Sequence, residues 1–344
     1  MSDAASIRNA AILDARNRAL QTPPPPPPGT IHAAKETLQS APLLASLWNR
    51  KDRRTVTIAV ARDNVDNIVA IDGIIIRDNA VRTTLEGYDD FGDNLPTTPT
   101  VLLGVPPSPS ERYTANNMAL EDVTQLRFNV DGGPSWARDS LSQPSVSMAA
   151  YSEYCATSAD GDDAPLYIFD QKLPPSLTAS YTIPQCFAHD AMSGIASLRP
   201  LPPLWLLVAA KRSGTPIHDH PHTVAWNVLL TGTKLWAILP PGEASHALAN
   251  DQGSALSWFL RNGQSLPPTT VTIIQRPGET VFVPNGWFHI VLNVEDTTAL
   301  SSSLALRRDF KESYAICKEE DEEFAEKWLE SVTGMDWSER FLPT

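Results

Sequence analysis

The stretch Gly278-Glu-Thr-Val-Phe-Val-Pro-Asn-Gly-Trp-Phe-His-Ile-Val-Leu-Asn293 decides the fold of this 344-residue chain. Pro277-Gly278 turns the chain into a short β-branched strand, and Pro284-Asn285-Gly286 turns it again directly before Trp287. A second strand then begins and carries His289. The pattern therefore predicts two short strands joined by a tight turn that aims one histidine.

A second stretch, Thr215-Pro-Ile-His-Asp-His-Pro-His222, holds three of the seven histidines. Side chains two positions apart on a strand face the same way, so His218 and His220 converge on one face. Imidazole nitrogens at that spacing suit a divalent transition metal, and His289 supplies a third from a distant strand. We predict a metal site with open positions for substrate and O₂; the alternative is a solvated loop of surface histidines.

The chain is β-rich from residue 166 onward, and turn signals separate its short apolar runs. Few helical patterns lie between these runs, which disfavours parallel βαβ units and favours a sandwich or barrel. We therefore predict a mainly β fold with flanking helices. The predicted strands after residue 200 are Leu204 to Ala210, Thr223 to Leu230, Lys234 to Leu239, Thr270 to Ile274, Thr280 to Val283, Phe288 to Val294 and Thr298 to Leu306.

The composition divides the chain into four segments. Residues 1–30 form a proline-rich tail with an unbroken run from Pro23 to Pro28, which is a polyproline II spacer or a ligand for an SH3-, WW- or profilin-type partner. Residues 31–145 form a mixed α/β flank. We predict that residues 146–310 form the β-rich barrel domain and that residues 311–344 form an acidic amphipathic helix.

The charge balance excludes some partners. Lys and Arg number 27 and Asp and Glu 40, a net charge of −13, which argues against binding to nucleic acid and favours basic peptides. Three widely spaced cysteines form no disulfide framework, which favours a reducing intracellular compartment. No apolar run predicts a membrane span or a secretory signal, and no phosphate-loop or dinucleotide fingerprint is present.

The first stretch follows the pattern G-x5-P-x-G-x2-H-x3-N, from Gly278 through Pro284, Gly286 and His289 to Asn293. This pattern is the second motif of the cupin superfamily, and the chain resembles the JmjC oxygenases within it. The closest branch is that of bifunctional arginine demethylases and lysyl hydroxylases. Further matching stretches, within a likeness that covers about 148–306, are Pro165 to Asp170, Arg212 to Thr215, Ala225 to Asn227 and Gly232-x-Lys-x-Trp236.

The resemblance implies a double-stranded β-helix (jelly-roll) barrel, Fe(II), and 2-oxoglutarate as co-substrate. It assigns His218 and His289 to the iron and Lys234 to the distal carboxylate of 2-oxoglutarate, a dianion that needs a fixed cation inside a barrel. Three further positions would line the co-substrate; these are Asn227, Thr215 and Ser302.

The chain departs from the family at one ligand. The family pattern is His-x-Asp, whereas this chain reads His218-Asp219-His220. His220 could complete a three-histidine site, a bulge could turn Asp219 inward, or the metal could bind weakly and turnover be lost.

Three functions follow from this ligand set. The first is an Fe(II)- and 2-oxoglutarate-dependent oxygenase that hydroxylates or N-demethylates a lysine or arginine of a basic protein substrate. The alternative is a catalytically impaired relative that acts as a binding or scaffold module. The third, a three-histidine cupin metalloenzyme without 2-oxoglutarate, is disfavoured by Lys234 and Asn227. By analogy with the family, we also expect a nuclear or cytoplasmic protein that pairs as a homodimer through C-terminal helices.

Overall fold

The computed structural model describes residues 57–62, 67–88, 92–121, 126–131, 145–157, 159–161, 165–199, 204–251, 253–335 and 338. The predicted proline-rich tail over residues 1–30, with its run from Pro23 to Pro28, lies outside these residues.

Sixteen strands form within the described residues, and all but one of their pairings are antiparallel. The seven strands predicted after residue 200 are confirmed to within two residues at their ends. In chain order the strands are β1 (Ile58–Arg62), β2 (Asn67–Ile71), β3 (Ile74–Arg77), β4 (Val81–Thr84), β5 (Thr100–Leu103), β6 (Arg127–Asp131), β7 (Ser145–Ser147), β8 (Tyr167–Asp170), β9 (Leu204–Ala209), β10 (Gly214–His218), β11 (Val224–Thr231), β12 (Lys234–Leu239), β13 (Val271–Gln275), β14 (Glu279–Val283), β15 (Phe288–Asn293) and β16 (Thr297–Leu304).

Two sheets form the centre of the fold. The large sheet has the order β4-β5-β14-β11-β16-β9-β8-β6-β7, and the small sheet has the order β10-β15-β12-β13. From β9 to β12 the chain alternates between the two sheets, and it does so again from β13 to β16. This alternation is the winding of a jelly roll, as the sequence predicted.

An apolar cluster fills the space between the sheets; we call it the interior cluster. Both sheets contribute to it, so their facing surfaces are in contact. Its buried members are Val101, Ala225, Trp236, Ile238, Ile273, Val281, Val283 and Val291.

The outer faces of both sheets are also covered. Trp226 and Phe282 of the large sheet pack outward against Phe187. Leu235 of the small sheet shares a buried cluster with Trp258 and with strands β2 and β3. Because each strand is buried on both faces, β12, β14 and β15 read as continuous apolar runs rather than alternating ones.

Seven α-helices lie within the described residues and flank the sheets. The acidic C-terminal segment, predicted as one helix, forms two, because Asp321 breaks the helix with an extended backbone. Its side chain then caps the second helix by accepting from the Phe324 amide at 3.0 Å. The helices are α1 (Ala115–Glu121), α2 (Met148–Thr157), α3 (Pro175–Ser180), α4 (Glu243–Ala249), α5 (Ala255–Asn262), α6 (Phe310–Glu320) and α7 (Glu322–Val332). None of the helices in these residues has the length and hydropathy needed to cross a bilayer.

The flank predicted over 31–145 contributes strands directly to the large sheet. Strand β5 pairs with β14, and β4 lies parallel to β5 at the sheet edge. The β-branched run from Asn67 to Ile76 forms two strands, because Asp72 and Gly73 adopt positive φ angles of 50° and 90° and form a tight hairpin turn between them.

Side chains that follow β3 protect the free edge of β13. The Asp78 carboxylate accepts from the Ile274 amide at 3.1 Å, and the Asn79 side chain accepts from the Thr272 amide at 2.8 Å. The Arg82 guanidinium donates two hydrogen bonds to Asp78 and a third, at 2.7 Å, to Glu279 of β14. The network therefore ties the flank to both sheets of the barrel.

We expect Asp78→Ala to lower the free energy of unfolding by about 2–4 kcal/mol, since it orphans a backbone amide and half of a largely buried ion-pair network. Urea unfolding followed by circular dichroism would measure the change. The matched control is Glu121→Ala, which removes an exposed ion pair with Arg112 and should cost about 0.5 kcal/mol or less. Equal effects from both variants would contradict the proposed importance of the network.

Candidate metal centre

Strand pairing brings two of the predicted metal ligands together. His218 ends β10 and lies directly opposite His289 of β15, with ring centroids 4.1 Å apart. The register between these strands shifts between Thr215 and His218, where a bulge places three steps of β10 against two of β15. The bulge returns His218 to the face that carries His289.

His220 joins the pair from beyond the end of β10. Its carbonyl accepts a hydrogen bond from the Gly286 amide at 3.0 Å, so the turn before His289 also holds the segment that carries His220. The ligand nitrogens of His218, His220 and His289 lie within 4.8 Å of one another. The predicted trio therefore does converge, although His220 lies outside the regular strand on which the prediction was based.

Backbone carbonyls orient two of the three imidazoles in the same way. The Nδ1 atom of His218 lies 2.8 Å from the Pro216 carbonyl, and that of His289 lies 3.1 Å from the Trp287 carbonyl. A carbonyl only accepts, so each Nδ1 carries the proton and each Nε2 keeps a lone pair for a metal. Burial lowers the pKa of both rings, and the two neighbouring histidines lower that of His289 further, so the rings stay neutral at pH 7.

The other polar residues of this segment lie outside the cluster. Asp219 is not among the groups whose ligand atoms converge, because the register shift precedes His218 and does not turn the next residue inward. His222 faces the C-terminal helices instead, with its Nε2 atom 2.8 Å from Glu320.

Lys234 is a buried cation on the same wall of the barrel. It begins β12, where it lies between Gln275 and Asn293 in the cross-strand register. The same face of β12 continues through Trp236, whose ring centroid lies 6.1 Å from that of His289. At about 3.3 Å per residue, the Cα of Lys234 lies roughly 13 Å along the wall from the level of His289.

The Lys234 side chain has no ion-pair partner among the described residues, and it is 3% exposed. Burial lowers its pKa from 10.5 to about 7. A buried ammonium without a carboxylate is costly, so this position is suited to an anion supplied from outside the chain.

A network of amide side chains surrounds the Lys234 level. The Gln275 side chain accepts from the Trp236 indole at 2.9 Å and donates to the Asn227 carbonyl at 2.8 Å, which links the small sheet to the large one. Sequence reasoning placed Asn227 in this lining but missed Gln275. A lone glutamine at the end of the apolar run Val271–Gln275 is the signal that could have revealed it.

Of the two hydroxyl residues expected to line the co-substrate, Thr215 faces the barrel interior and Ser302 does not. Thr215 lies opposite Val291, a member of the interior cluster, as expected for a residue that lines the cavity. Ser302 lies opposite Trp226, whose side chain packs on the outer face of the large sheet. The expectation for Ser302 is therefore wrong by one position: Ser301 lies opposite Asn227 and shares its face.

The donor chemistry of the histidine cluster fits a divalent transition metal, because neutral imidazoles bind Fe, Zn, Cu and Ni. Within the part of the chain that the structure describes, no carboxylate joins the cluster as it would in a two-histidine, one-carboxylate iron site. With that carboxylate an M²⁺ site carries 2 − 1 = +1, whereas three neutral histidines leave +2. The site is therefore expected to attract anionic ligands more strongly.

Comparison with known proteins gives consistent similarities. Residues 205–303 match the JmjC domain family, described as a hydroxylase domain. The chain is 35% identical over 185 residues to the lysine-specific demethylase JMJ21 of Arabidopsis thaliana, which covers 48% of this chain and 19% of that protein. It is 34% identical over 176 residues to the bifunctional arginine demethylase and lysyl-hydroxylase psr-1 of Caenorhabditis elegans, which covers 45% of this chain and 44% of that protein.

A further relative carries a cofactor in its name. The chain is 34% identical over 109 residues to the 2-oxoglutarate and iron-dependent oxygenase JMJD4 of Gallus gallus, covering 28% of this chain and 25% of that protein. The chain thus spans between 19% and 44% of the length of these three relatives.

We expect Lys234→Met to raise the melting temperature, because it replaces a buried, unpaired cation with an apolar side chain of similar length. An unfolded lysine keeps its proton up to pH 10.5, whereas folded Lys234 loses it above about 7, so the unfolded state binds more protons between these values. The unfolding free energy of the natural chain therefore rises with pH across this window, and the gain from Lys234→Met should be larger at pH 7 than at pH 9. Thermal unfolding at the two pH values would test this, and a lower melting temperature at both would contradict it.

Proposed function

We propose that this chain, which contains a JmjC domain over residues 205–303, is an Fe(II)- and 2-oxoglutarate-dependent oxygenase. The observation that carries the proposal is the presence, on the same wall of one barrel, of the histidine cluster and of a buried lysine that has no ion-pair partner among the described residues. A metal-chelating dianion such as 2-oxoglutarate would need a metal at one end of the molecule and a cation for the carboxylate at its other end.

His218, His220 and His289 would hold the iron through their Nε2 atoms. Bound iron supplies the activation of O₂ that is coupled to decarboxylation of 2-oxoglutarate and to hydroxylation of a C–H bond. The chain's own contribution is placement. The carbonyls of Pro216 and Trp287 fix two of the rings, and the interior cluster excludes water from the wall beside them.

Lys234 would bind the distal carboxylate of the co-substrate, with Asn227 and Thr215 lining its cavity. The arriving carboxylate supplies the missing counter-charge, so binding raises the pKa of Lys234 and fixes its proton. Gln275 is hydrogen-bonded to the Asn227 backbone carbonyl and to the Trp236 indole, and so holds both residues in place beside Lys234.

The substrate we propose is a lysine or arginine side chain of a basic protein, which is hydroxylated or N-demethylated. The net charge of −13 favours such a partner. The names of two relatives, an arginine demethylase and lysyl-hydroxylase and a lysine-specific demethylase, agree with this substrate class. Family analogy further favours an intracellular site of action, nuclear or cytoplasmic, and a homodimer.

A second function is favoured by one specific observation: among the described residues, no carboxylate joins the converging ligand groups. Three neutral ligands stabilise a highly oxidised metal less well than two histidines and a carboxylate. A chain with this set could keep the metal and the co-substrate cavity yet act as a binding module without turnover.

Succinate formation tests the oxygenase. With Fe(II), 2-oxoglutarate, ascorbate and basic peptides rich in lysine and arginine, the natural chain should release succinate above a metal-free control. Lys234→Ala should raise KM for 2-oxoglutarate at least roughly 30-fold, since removal of one partner of a buried charge pair costs about 2 kcal/mol or more. Lys311→Ala, which removes an exposed lysine of α6, should leave KM unchanged. No succinate under any of these conditions would refute the oxygenase.

His220→Asp separates the two candidate functions. If His220 is a working ligand of an oxygenase, the variant should form succinate from 2-oxoglutarate more slowly than the natural chain does under the same conditions. A gain of turnover would instead show that the three-histidine set impairs the reaction, as the binding-module function requires.

The affinity for 2-oxoglutarate should fall as pH rises above about 7, because free Lys234 loses its proton there and must regain it to bind the dianion. The fall should approach tenfold per pH unit between pH 7.5 and 8.5. Calorimetric titration of the Mn(II)-loaded protein would measure it. Two controls should show a flatter profile: Lys234→Arg, which stays charged, and 2-oxobutyrate, which lacks the distal carboxylate. A pH-independent affinity for the natural chain would contradict the role of Lys234.

A further inference from the structure

His222 connects the histidine cluster to the C-terminal helices. Its Nε2 atom lies 2.8 Å from Oε2 of Glu320, the last residue of α6, and the two side chains are only 13% and 15% exposed. The acceptor is a carboxylate, so His222 donates. His222 follows His220 by two residues, which places this hydrogen bond next to the ligand that no strand holds.

The same helix also holds the turn before His289. The Asn285 side chain donates to the Ser313 hydroxyl of α6 at 2.9 Å, and Ser313 is fully buried. The adjacent Gly286 amide donates to the His220 carbonyl. Helix α6 therefore contacts both the segment that carries His220 and the turn before His289, and these two segments are hydrogen-bonded to each other.

Helix α6 is itself a fixed support. Phe310, Tyr314 and Cys317 on its inner face belong to a buried cluster that includes Trp328 of α7. The Trp328 indole donates to the Ala191 carbonyl at 2.9 Å, which anchors the helix pair to a segment 137 residues earlier in the chain. Contacts with α6 therefore restrict the movement of the segments that carry His222 and Asn285.

We propose that Glu320 is a positioning residue for the metal centre: through His222 it fixes residues 219–222 and so holds His220 within reach of the ion. The proposal rests on the metal site proposed above. His218 and His289 are placed by strand pairing, whereas His220 gains its position from the turn at Gly286 and from this support. Losing a direct hydrogen-bond partner of a metal ligand typically lowers metal affinity about 10–100-fold, and because Glu320 contacts His222 rather than a ligand, we expect the lower end of that range.

Titration of the metal-free full chain with Co(II), by calorimetry and visible absorption, tests the proposal without turnover. Glu320→Ala should lower the Co(II) affinity about tenfold or more and change the ligand-field spectrum. Glu320→Gln keeps an acceptor oxygen and should retain most of the affinity. Glu319→Ala removes the same charge from an exposed neighbour on α6 and should bind as the natural chain does.

A double-mutant cycle with His220→Ala shows whether Glu320 acts through that ligand. If it does, Glu320→Ala has no further effect on Co(II) affinity once His220 is gone; independent effects would simply add. His222→Phe, which keeps a ring but removes the hydrogen bond, should reproduce the loss and serves if Glu320→Ala does not fold.

Several outcomes would overturn the positioning role. These are additive losses in the cycle, a loss in Glu320→Gln or Glu319→Ala as large as in Glu320→Ala, and unchanged Co(II) binding in His222→Phe. The proposed metal site fails separately, and the positioning role with it, if the natural chain binds no Co(II) or if His218→Ala leaves the Co(II) titration unchanged.

Discussion

The antiparallel pairing of β10 with β15 is the interaction on which the site depends, because it sets His218 against His289. Side chains alternate between the two faces of a strand, so a slip of one residue would send either imidazole to the outer face of the small sheet. The bulge before His218 and the turn before His289 fix this register from both sides. The apolar residues around them serve mainly to hold two short strands in the correct alignment.

Because both sheets are buried on both faces, the polar groups between them are shielded from water. In such a barrel an ammonium, a glutamine and an asparagine on the inner face lower the stability unless they are paired. The Gln275 side chain is hydrogen-bonded to the Asn227 backbone carbonyl, whereas no carboxylate of the described chain pairs with Lys234. Gln275 and Asn227 therefore have a structural role, whereas Lys234 is the residue for which we propose an anionic ligand.

The sequence predicted those features that depend on local turns and on strand periodicity. The strands from residue 204 onward follow from turn residues between apolar runs, and His218 and His289 follow from motif spacing. Ser302 was misplaced because alternation makes a one-residue error a change of face. The hydrogen bond between His222 and Glu320 could not be predicted, since it joins residues 98 apart through packing of α6 that no local pattern encodes.

The replacement of a carboxylate by His220 changes what the protein must do to hold a metal. A carboxylate attracts a cation over several ångströms and from many orientations, whereas a neutral imidazole binds only along the direction of its Nε2 lone pair. Two of the three rings receive that direction from carbonyls two residues earlier in the chain. The third follows a strand end, so its direction depends on the packing of neighbouring segments. A three-histidine centre should therefore be more sensitive to distant supporting contacts than one with a carboxylate, and under the proposed role of Glu320 the C-terminal helices would contribute such a contact.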